Sequence, residues 1–386
     1  MTQTSVYLHD FQIQPAAYRS DQGAILEWIA AAHAQAEITL QTPATEEERA
    51  VLIRRFRKLV LRFGCSTDRI AFRNSALEDF THRDWDRMRI FQLNAFPRGM
   101  DCGERSRFFS EICEEAFERF YAEDTSPPDV LIHVTCTGYV SPSGAQRLVA
   151  RRDWGASTEV IHAYHMGCYA SMPAIRMAAG FVARGKSRVD IVHTELCTLH
   201  MDPSQHLPEQ LVVQTLFADG LIRYSVSQAD TGEKNQKGLE LLATHEEIAP
   251  GTEDAMTWMV SEFGMQMTLS RKVPDHIRAG LGSFLERLAV SADLTIPALL
   301  ETAIFAIHPG GPRIIDEIAE HLGLQPAQVQ ASNAILGQYG NMSSATLPHV
   351  WQLLLEDGSV KPGTLIVSLA FGPGLTIAGA ILRKSR

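Results

Sequence analysis

Hydrophobic residues recur every three or four positions in two segments near the start of the chain, Asp21 to Ala36 and Thr45 to Phe63. This spacing places the apolar side chains on one face of a helix, so it predicts two amphipathic helices. Charged residues, among them the largely basic run Arg54 to Lys58, occupy the other faces of the second segment. The chain is therefore expected to open with helices that pack against a core.

The middle of the chain predicts a strand, a tight turn, a helix and a second strand. β-Branched residues are frequent from Val130 to Thr137 and from Arg188 to Leu196, as is typical of buried strands. Between them, Gly167 to Lys186 has apolar residues at helical spacing directly after a tight turn. Cys168 is therefore predicted to lie at the start of a helix.

A similar order recurs downstream. The pattern predicts a buried strand from Pro297 to Ile307, followed by helices from Gly311 to Leu322 and from Ser343 to Leu355. Two apolar runs, Thr364 to Ala370 and Leu375 to Leu382, are joined by Phe-Gly-Pro-Gly, which is typical of a buried hairpin. Strands that alternate with helices in both parts indicate the α/β class and two halves of similar order.

Length and composition fit two packed halves. The chain has 386 residues, of which 45% are hydrophobic and 21% charged, as in a globular protein with room for two cores. The polar segment Ala229 to Gly238 is the expected connection. We therefore expect residues 1–235 to form an N-terminal half that carries Cys168, and residues 236–386 to form a C-terminal half.

Charge and hydropathy argue against several classes of protein. A formal net charge of −10 disfavours a nucleic-acid binder with a broad basic surface. No stretch approaches the roughly 20 apolar residues of a membrane helix, and the first residues lack the basic segment and apolar core of a secretion signal. The six cysteines occur without CxxC pairs, which disfavours a zinc site and a disulfide scaffold. A cytoplasmic protein without a metal site, nucleic acid or membrane partner is expected.

Cys168 is the first candidate for chemistry. At the amino end of a helix, unpaired N–H groups and the helix dipole favour the thiolate, which is the nucleophilic form of cysteine. The alternative is that Cys168 is a small buried hydrophobic residue, which is the commoner role of a free cysteine. The other segments of the chain have to decide between these two roles.

His308 and Asn341 are the next two candidates. His308 ends a predicted strand at His-Pro-Gly-Gly-Pro, where it could pair with a thiolate and donate to an enolate oxygen, or instead cap the following helix. Asn341 follows Gly340 just before a helix, where an N-cap is the usual role of asparagine. Taken singly, neither residue distinguishes catalysis from structure.

Together these segments resemble the type III polyketide synthases, the chalcone and stilbene synthase family of the thiolase superfamily, over nearly the whole chain. The resemblance implies a thiolase-like αβαβα fold of five layers, with two similar halves that each contain a mixed β-sheet, and it implies a homodimer. The motifs that carry it are HMGCYASMPAIRMA around Cys168, LFADG at Leu216 to Gly220, FAIHPGGPRIID around His308, YGNMSSA around Asn341 and FGPG at Phe371 to Gly374.

The resemblance also implies a reaction. Cys168 would take an acyl group from a thioester, while His308 and Asn341 bind the thioester oxygen of a malonyl extender. Decarboxylation would then give an enolate that attacks the acyl-cysteine, with cyclisation to a pyrone or resorcinol-type product as the expected end. Acyl-coenzyme A and malonyl-coenzyme A would be the substrates, and no metal or redox cofactor would be required.

Further family positions map onto a substrate pocket. Phe217 falls on a gatekeeper phenylalanine between the entrance tunnel and the cavity, although a core aromatic residue in a strand is the alternative. The second gatekeeper falls on Met267, where a flexible thioether replaces a ring. Other pocket positions differ from those of plant relatives, and this remodelling disfavours plant phenylpropanoid starters. One of the replacements, Trp258, is similar to bacterial members that make alkylresorcinols or alkylpyrones from fatty acyl starters. The remaining pocket residues are expected to be Cys197, His200, Trp258 and Ser343.

Three basic residues of the second predicted helix, Arg55, Lys58 and Arg62, lie at spacings of three and four and therefore on one face. They match family positions that contact coenzyme A phosphates. The same charges could instead meet an acidic acyl carrier protein or form a solvated helix face. We therefore expect these residues to bind coenzyme A or a carrier protein.

Three other functions remain open at this point. A carrier-protein-dependent ketosynthase, similar to ketoacyl synthase III, would join acyl chains with the same three residues. A non-catalytic binding protein would keep the fold without the chemistry, and simple hydrolysis of the acyl-cysteine would release free acid. The intact set of Cys168, His308 and Asn341 favours a condensing acyltransferase.

Overall fold

The computed structural model describes residues 5–43, 45–229 and 237–385. Its strands are β1 (Val6–Gln14), β2 (Tyr18–Asp21), β3 (Phe72–Ser75), β4 (Val130–Thr135), β5 (Glu159–Tyr164), β6 (Val189–Leu196), β7 (Asp219–Gln228), β8 (Leu239–Ile248), β9 (Met256–Ser261), β10 (Gly264–Leu269), β11 (Ile304–Ile307), β12 (Leu365–Gly372) and β13 (Thr376–Lys384). Its helices are α1 (Gln22–Gln41), α2 (Glu46–Phe63), α3 (Cys102–Phe120), α4 (Gly144–Arg151), α5 (Ser171–Ala183), α6 (Pro208–Leu216), α7 (Val273–Val290), α8 (Ile296–Thr302), α9 (Pro312–Leu322), α10 (Gln330–Tyr339) and α11 (Thr346–Glu356). Short 3₁₀ turns occupy Glu78–Thr81, Cys197–His200, Pro326–Val329 and Ser343–Ala345.

Strands from both halves form one mixed sheet in the order β11-β12-β13-β8-β1-β7-β6-β4-β5. Within it, β4 runs parallel to β5 and β6, and β11 runs parallel to β12, while the other neighbours are antiparallel. The two sets of strands meet where β1 pairs with β8, from Val6 opposite Leu241 to Leu8 opposite Leu239. The resemblance implied a mixed sheet in each half, whereas the structure joins two mixed sets of strands into one continuous sheet.

Helices α5 and α11 lie between the strand sets of the two halves. Ile175 of α5 and Trp351 of α11 share one core with Ile132 of β4. The preceding residue of β4, Leu131, points to the other face of the strand and packs in a second core with α1, α3 and α4. On the far side, Val367 of β12 packs in a third core with α7 and α9. The central helices are thus flanked on each side by a layer of strands, and each layer of strands is covered by outer helices. This gives the predicted αβαβα layers.

The first two helices begin where the sequence predicts, because each start is capped. The Asp21 carboxylate accepts hydrogen bonds from the backbone N–H groups of Gly23 and Ala24, and Thr45 forms a capping box with Glu48. Helix α1 continues five residues beyond the predicted end, to Gln41. None of the helices in the described ranges is both long and apolar enough to cross a membrane.

The predicted strand from Pro297 to Ile307 is wrong in its first part. Residues Ile296–Thr302 form α8, and only Ile304–Ile307 form β11. Proline is favoured in the first turn of a helix, and the Ala-Leu-Leu-Glu that follows consists of good helix formers. The strand begins only where the chain can pair with β12.

The predicted division of the chain lies outside what the structure describes. The boundary between residues 235 and 236, and most of the connection Ala229 to Gly238, fall in the range 230–236, which is not among the described residues. The two-half boundary therefore stays a prediction.

Buried histidines should make the fold sensitive to acid. In the folded chain burial lowers the pKa of each of them, to about 4 or about 3, whereas in the unfolded chain they take up protons below about pH 6.5. We therefore expect the free energy of unfolding to fall as the pH drops from about 6.5 towards 4. The buried histidines in the described part of the chain are His33, His133, His193, His200, His308 and His349.

Calorimetric melting temperatures across this pH range would measure the effect. His349→Gln should flatten the acid side of the profile, whereas substitution of the exposed His321 to Gln should leave it unchanged. A melting temperature that does not change between about pH 6.5 and about pH 4 would contradict this expectation.

Candidate active site

Cys168 lies in the turn between β5 and α5, and its side chain is 8% exposed. The helix itself begins at Ser171, so the predicted helix start is replaced by a turn that precedes the helix. Gly167 has a φ of 87°, and a Cβ atom on it would lie 2.5 Å from Cδ of Pro373. Glycine is required there, because the Phe-Gly-Pro-Gly segment of the second half packs directly on the turn.

Burial determines the protonation state of Cys168. It raises the pKa of the thiol to about 12; the Glu195 carboxylate also raises this pKa, while the side chains of Ser343 and Asn341 lower it. The Cys168 Sγ atom lies 3.7 Å from the Ser343 Oγ atom. The expectation that a helix start favours the thiolate is therefore wrong here. Cys168 is a thiol at neutral pH and needs a base to become a nucleophile.

His308 follows β11 directly, as predicted. Its backbone N–H donates to the Leu369 carbonyl at 2.7 Å, and its own carbonyl accepts from Gly310 at 2.8 Å, which fixes the residue at the strand end. The side chain is 1% exposed, and burial lowers its pKa to about 3. Neither ring nitrogen has a hydrogen-bond partner among the residues that the structure describes. The alternative role as a helix cap is therefore not observed, and a neutral imidazole remains available to a ligand.

Asn341 is held by its backbone against the segment before β7. Its N–H donates to the Leu216 carbonyl at 3.0 Å, and its carbonyl accepts from the Ala218 N–H at 2.8 Å. The side-chain Oδ1 accepts from the Ser343 N–H at 2.9 Å, so the residue closes a turn and is not the N-cap of α11. With Oδ1 occupied, the NH₂ group of the amide remains as a donor, and the amide lowers the pKa of Cys168.

The three residues Cys168, His308 and Asn341 line one cavity of about 630 Å³. A volume of this size with few polar groups is typical of a small-molecule site. A neutral thiol, an imidazole without a partner and an amide donor can together form a thiolate and then stabilise a negatively charged oxygen. Most of the remaining wall is apolar and includes Val213, Met256, Leu269, Val273, Ile277 and Phe371.

The two predicted gatekeepers lie between this cavity and smaller chambers. Phe217 and Met267 line the large cavity and also two chambers of about 20 Å³ and about 30 Å³. Phe217 follows α6 and precedes β7, so it is not the strand residue that the alternative supposed. Met267 lies in β10, opposite Trp258 of β9. In these positions Phe217 and Met267 separate the large cavity from the two chambers. Their gatekeeper role stays a prediction.

The other four predicted pocket residues are absent from the described wall of the large cavity. The smaller chambers that they line have room for about one water molecule each, so they do not form an open pocket for substrate. Cys197, Trp258 and Ser343 line the chamber of about 20 Å³ beside Cys168, and Cys197, His200 and Trp258 line the chamber of about 30 Å³.

Hydrogen bonds fix Trp258 and His200 in these positions. The Trp258 Nε1–H donates to the Cys136 carbonyl at 2.7 Å, and the Trp258 carbonyl accepts from Nε2 of His165 at 2.8 Å. His200 Nε2–H donates to the Thr137 carbonyl at 2.7 Å. The His200 Nδ1 atom also accepts from the Met265 N–H at 3.1 Å. Neither side chain can therefore move aside without losing hydrogen bonds.

The predicted phosphate-binding residues lie elsewhere. Arg55, Lys58 and Arg62 are exposed on α2 and are not part of the cavity wall in the described chain. The sequence pattern did not point to the cationic residues that do line the cavity, because they come from three separate segments and share no helix spacing. These residues are Arg69, Arg271 and Arg313. Their one sequence signal is that Arg313 directly follows the HPGGP motif.

The second half of the chain matches a known family. Residues 240–385 match the family described as chalcone and stilbene synthases, C-terminal domain. This range contains both His308 and Asn341.

Known proteins resemble the chain over most of its length. It is 26% identical over 299 residues to the "alpha-pyrone synthesis polyketide synthase-like Pks18" of Mycobacterium tuberculosis, covering 77% of this chain and 72% of that protein. It is 30% identical over 257 residues to "probable polyketide synthase 1" of Dictyostelium discoideum, covering 66% of this chain. The match spans only 8% of the Dictyostelium protein, which is much longer.

A solved structure shares the whole fold. PKS-I from the brown alga Ectocarpus siliculosus superposes with a TM-score of 0.82 over 99% of each chain, at 22% sequence identity. At this identity the likeness concerns the fold alone.

The protonation state of Cys168 is directly testable. Because burial raises the pKa of its thiol to about 12, the rate of its alkylation by iodoacetamide should rise roughly tenfold per pH unit from about pH 7 to about pH 10. Peptide mass mapping would follow the modification of this residue, with Cys168→Ala as the background. A rate that levels off near neutral pH would mean that the thiolate is already formed there.

Proposed function

The chain belongs to the type III polyketide synthase family, whose chalcone and stilbene synthase C-terminal domain it carries at residues 240–385, and we propose that it condenses malonyl units onto an acyl thioester. The observation that carries the proposal is the shared cavity, which is lined by Cys168, by a neutral His308 without a hydrogen-bond partner in the described chain, and by Asn341, whose amide NH₂ group is a donor. A thiol, a base and two hydrogen-bond donors are what acyl loading and decarboxylative condensation require.

Loading transfers the acyl group to Cys168. As the sulfur attacks the thioester carbonyl, its proton passes to the neutral imidazole of His308, which acts as general base. The tetrahedral intermediate collapses with loss of the donor thiolate, and the imidazolium returns the proton to that thiolate. A pKa of His308 lowered by burial makes this return favourable, since the charged imidazolium is short-lived in an apolar site.

Extension uses the same groups as donors. The N–H of His308 and the amide of Asn341 donate to the thioester oxygen of a malonyl unit, which stabilises the enolate as carbon dioxide leaves. The enolate carbon attacks the acyl carbonyl on Cys168, a carbon–carbon bond forms, and the Cys168 thiolate departs and is protonated again. Electrons for the new bond come from the broken carboxylate bond, so we expect no metal or redox cofactor to be needed.

The identity of the substrates and products belongs to the proposal. We propose acyl-coenzyme A and malonyl-coenzyme A as donors, and cyclisation to a pyrone or resorcinol-type product. The name of the Mycobacterium relative refers to alpha-pyrone synthesis by that protein, which supports the pyrone. A carrier-protein-dependent ketosynthase is the less favoured alternative. A homodimer, an acyl carrier partner and a cytoplasmic location stay predictions from the sequence.

Intact-protein mass spectrometry tests the loading step. Wild-type protein incubated with a panel of acyl-coenzyme A esters should gain the mass of one acyl group, and Cys168→Ala should gain none, because the proposal makes the Cys168 sulfur the nucleophile. Malonyl-coenzyme A should then convert the adduct into a longer released product. Release of free acid without carbon dioxide would identify a thioesterase, and the absence of any adduct with coenzyme A and carrier-bound esters would remove the proposal.

Asn341 should matter for extension more than for loading. Asn341→Ala removes one donor to the enolate oxygen and should lower the rate of malonyl decarboxylation by roughly 100-fold to 1000-fold, while acylation of Cys168 changes only a few-fold. Rates of carbon dioxide release and of acyl adduct formation measure the two steps separately.

Ser343→Ala is the matched control for this variant. It removes a hydroxyl 3.7 Å from the Cys168 sulfur but leaves both oxyanion donors, so extension should stay within a few-fold of wild type. Equal losses of loading and extension in Asn341→Ala would show that the residue maintains the site and does not act as a donor.

A further inference from the structure

The turn that presents Cys168 begins with a residue in an uncommon backbone conformation. His165 directly follows β5 and has a φ of 61°, a value that residues other than glycine adopt infrequently. Its N–H donates to the Thr135 carbonyl at 2.9 Å, where β4 ends. A residue persists in such a conformation when surrounding contacts hold it there. The His165 side chain makes one contact of this kind.

The imidazole of His165 is bonded to a distant part of the chain. Its Nε2 atom lies 2.8 Å from the carbonyl oxygen of Trp258 on β9. Because a carbonyl oxygen only accepts, Nε2 carries the proton that is donated. The Nδ1 atom is buried and has no partner among the described residues. Within the described chain, the ring therefore has Trp258 as its one hydrogen-bond partner.

Trp258 belongs to a hairpin that also forms part of the cavity wall. In the described chain β9 and β10 pair with each other and form a two-stranded sheet of their own. Met256 of β9 and Met267 of β10 line the large cavity. The Trp258 indole donates to the carbonyl of Cys136, which directly follows β4, at 2.7 Å. This one residue of the hairpin thus bonds to the segments that follow both β4 and β5.

The segment after β4 also contacts the turn next to the nucleophile. The N–H of Gly167 donates to the Sγ atom of Cys136 at 3.0 Å, and Gly167 immediately precedes Cys168. Like His165, Gly167 has a positive φ, of 87°. Two of the three residues before Cys168 therefore have uncommon backbone angles. The position of the sulfur depends on the contacts that keep them so.

We propose that His165 is a positioning residue, whose hydrogen bond to the Trp258 carbonyl fixes the turn that presents Cys168 to an acyl donor. This inference rests on the proposed function and adds a residue that touches no reacting atom. His165 is not part of the described wall of the large cavity or of the two chambers. Its bond instead holds the turn in register with the hairpin that carries Met256 and Met267.

Two amide substitutions separate the hydrogen bond from the backbone conformation. In His165→Gln the amide NH₂ group can lie near the place of Nε2 and donate to the Trp258 carbonyl. In His165→Asn the amide is one carbon shorter and lies nearer the place of Nδ1, although asparagine is the residue that best tolerates a positive φ. His162→Gln is the matched control, because His162 is an exposed histidine of β5 whose ring stacks on Tyr164.

Single-turnover acylation of Cys168 by an acyl-coenzyme A ester would be followed by mass spectrometry, well below the lowest melting temperature of the set. His165→Asn should lower the maximal rate by roughly 10-fold to 100-fold, because a displacement of about 1 Å is enough to spoil the alignment of reacting atoms. The half-saturating concentration should stay within a few-fold, since the groups that bind the donor are unchanged. His165→Gln and His162→Gln should stay within a few-fold of wild type in both quantities.

Alkylation of Cys168 by iodoacetamide gives a second readout that needs no acyl donor. The side chain is 8% exposed in the folded protein. A turn released by His165→Asn exposes the sulfur further, so alkylation at about pH 9 should become several-fold faster while acylation becomes slower. His165→Gln should be alkylated at the rate of wild type. Opposite changes in the two reactions would distinguish a displaced sulfur from a general loss of structure, which lowers the melting temperature as well.

Three outcomes would overturn the positioning role. Wild-type rates in His165→Asn would mean that the backbone conformation alone is sufficient. Equal losses in the Gln and Asn variants would mean that the ring is needed for packing, and a raised half-saturating concentration at an unchanged maximal rate would assign His165 to donor binding. Wild-type protein that no donor acylates would overturn the proposed function, whereas the alkylation rates of the two variants would still decide whether His165 positions the sulfur.

Discussion

Two backbone hydrogen bonds bring the chemistry of both halves together, those that join Asn341 to Leu216 and Ala218. They fix the Asn341 amide beside Phe217, in the wall that also contains Cys168. Gly340 makes the approach close, since it has a φ of 76° and a Cβ atom on it would lie 3.0 Å from the Leu216 carbonyl oxygen. Because unpaired buried backbone groups are costly, this pairing holds the loop of the second half in register with the first, and the position of the Asn341 amide follows from it.

A buried carboxylate strengthens the same junction. Glu195 accepts from the Cys136 N–H at 3.0 Å and the Thr137 hydroxyl at 2.9 Å in the first half, and from the Ser344 hydroxyl in the second. Burial raises the pKa of Glu195, and its carboxylate raises the pKa of Cys168. The groups that join the halves therefore also keep the nucleophile protonated. In the proposed reaction the thiol proton passes to His308, which burial keeps neutral, so the same apolar environment sets the protonation state of both residues.

Local signals explain which parts of this arrangement were predictable from the sequence. Asp21 and Thr45 cap helices through their own side chains, and the glycines and prolines around Cys168, His308 and Asn341 mark turns that need no distant contact. The family resemblance then identified the layered fold. Where the outcome depends on tertiary contact, the pattern failed: α8 was assigned to a strand, and Arg69, Arg271 and Arg313 line one cavity only in the folded chain. The raised pKa of the Cys168 thiol likewise results from burial, which no spacing of residues reports.

The small size of the two chambers was likewise not predictable from the sequence. It reduces the space that a substrate could occupy. The indole of Trp258 donates to the Cys136 carbonyl across the site, so it fills space that the resemblance assigned to substrate. Beyond Phe217 and Met267 there is room for about one water molecule in each chamber. In the proposed reaction, the acyl donor and the growing chain would therefore share the cavity of about 630 Å³. Its volume would then limit the length of the product, and the apolar wall formed by Val273 and Ile277 of α7 is the surface against which the chain would fold.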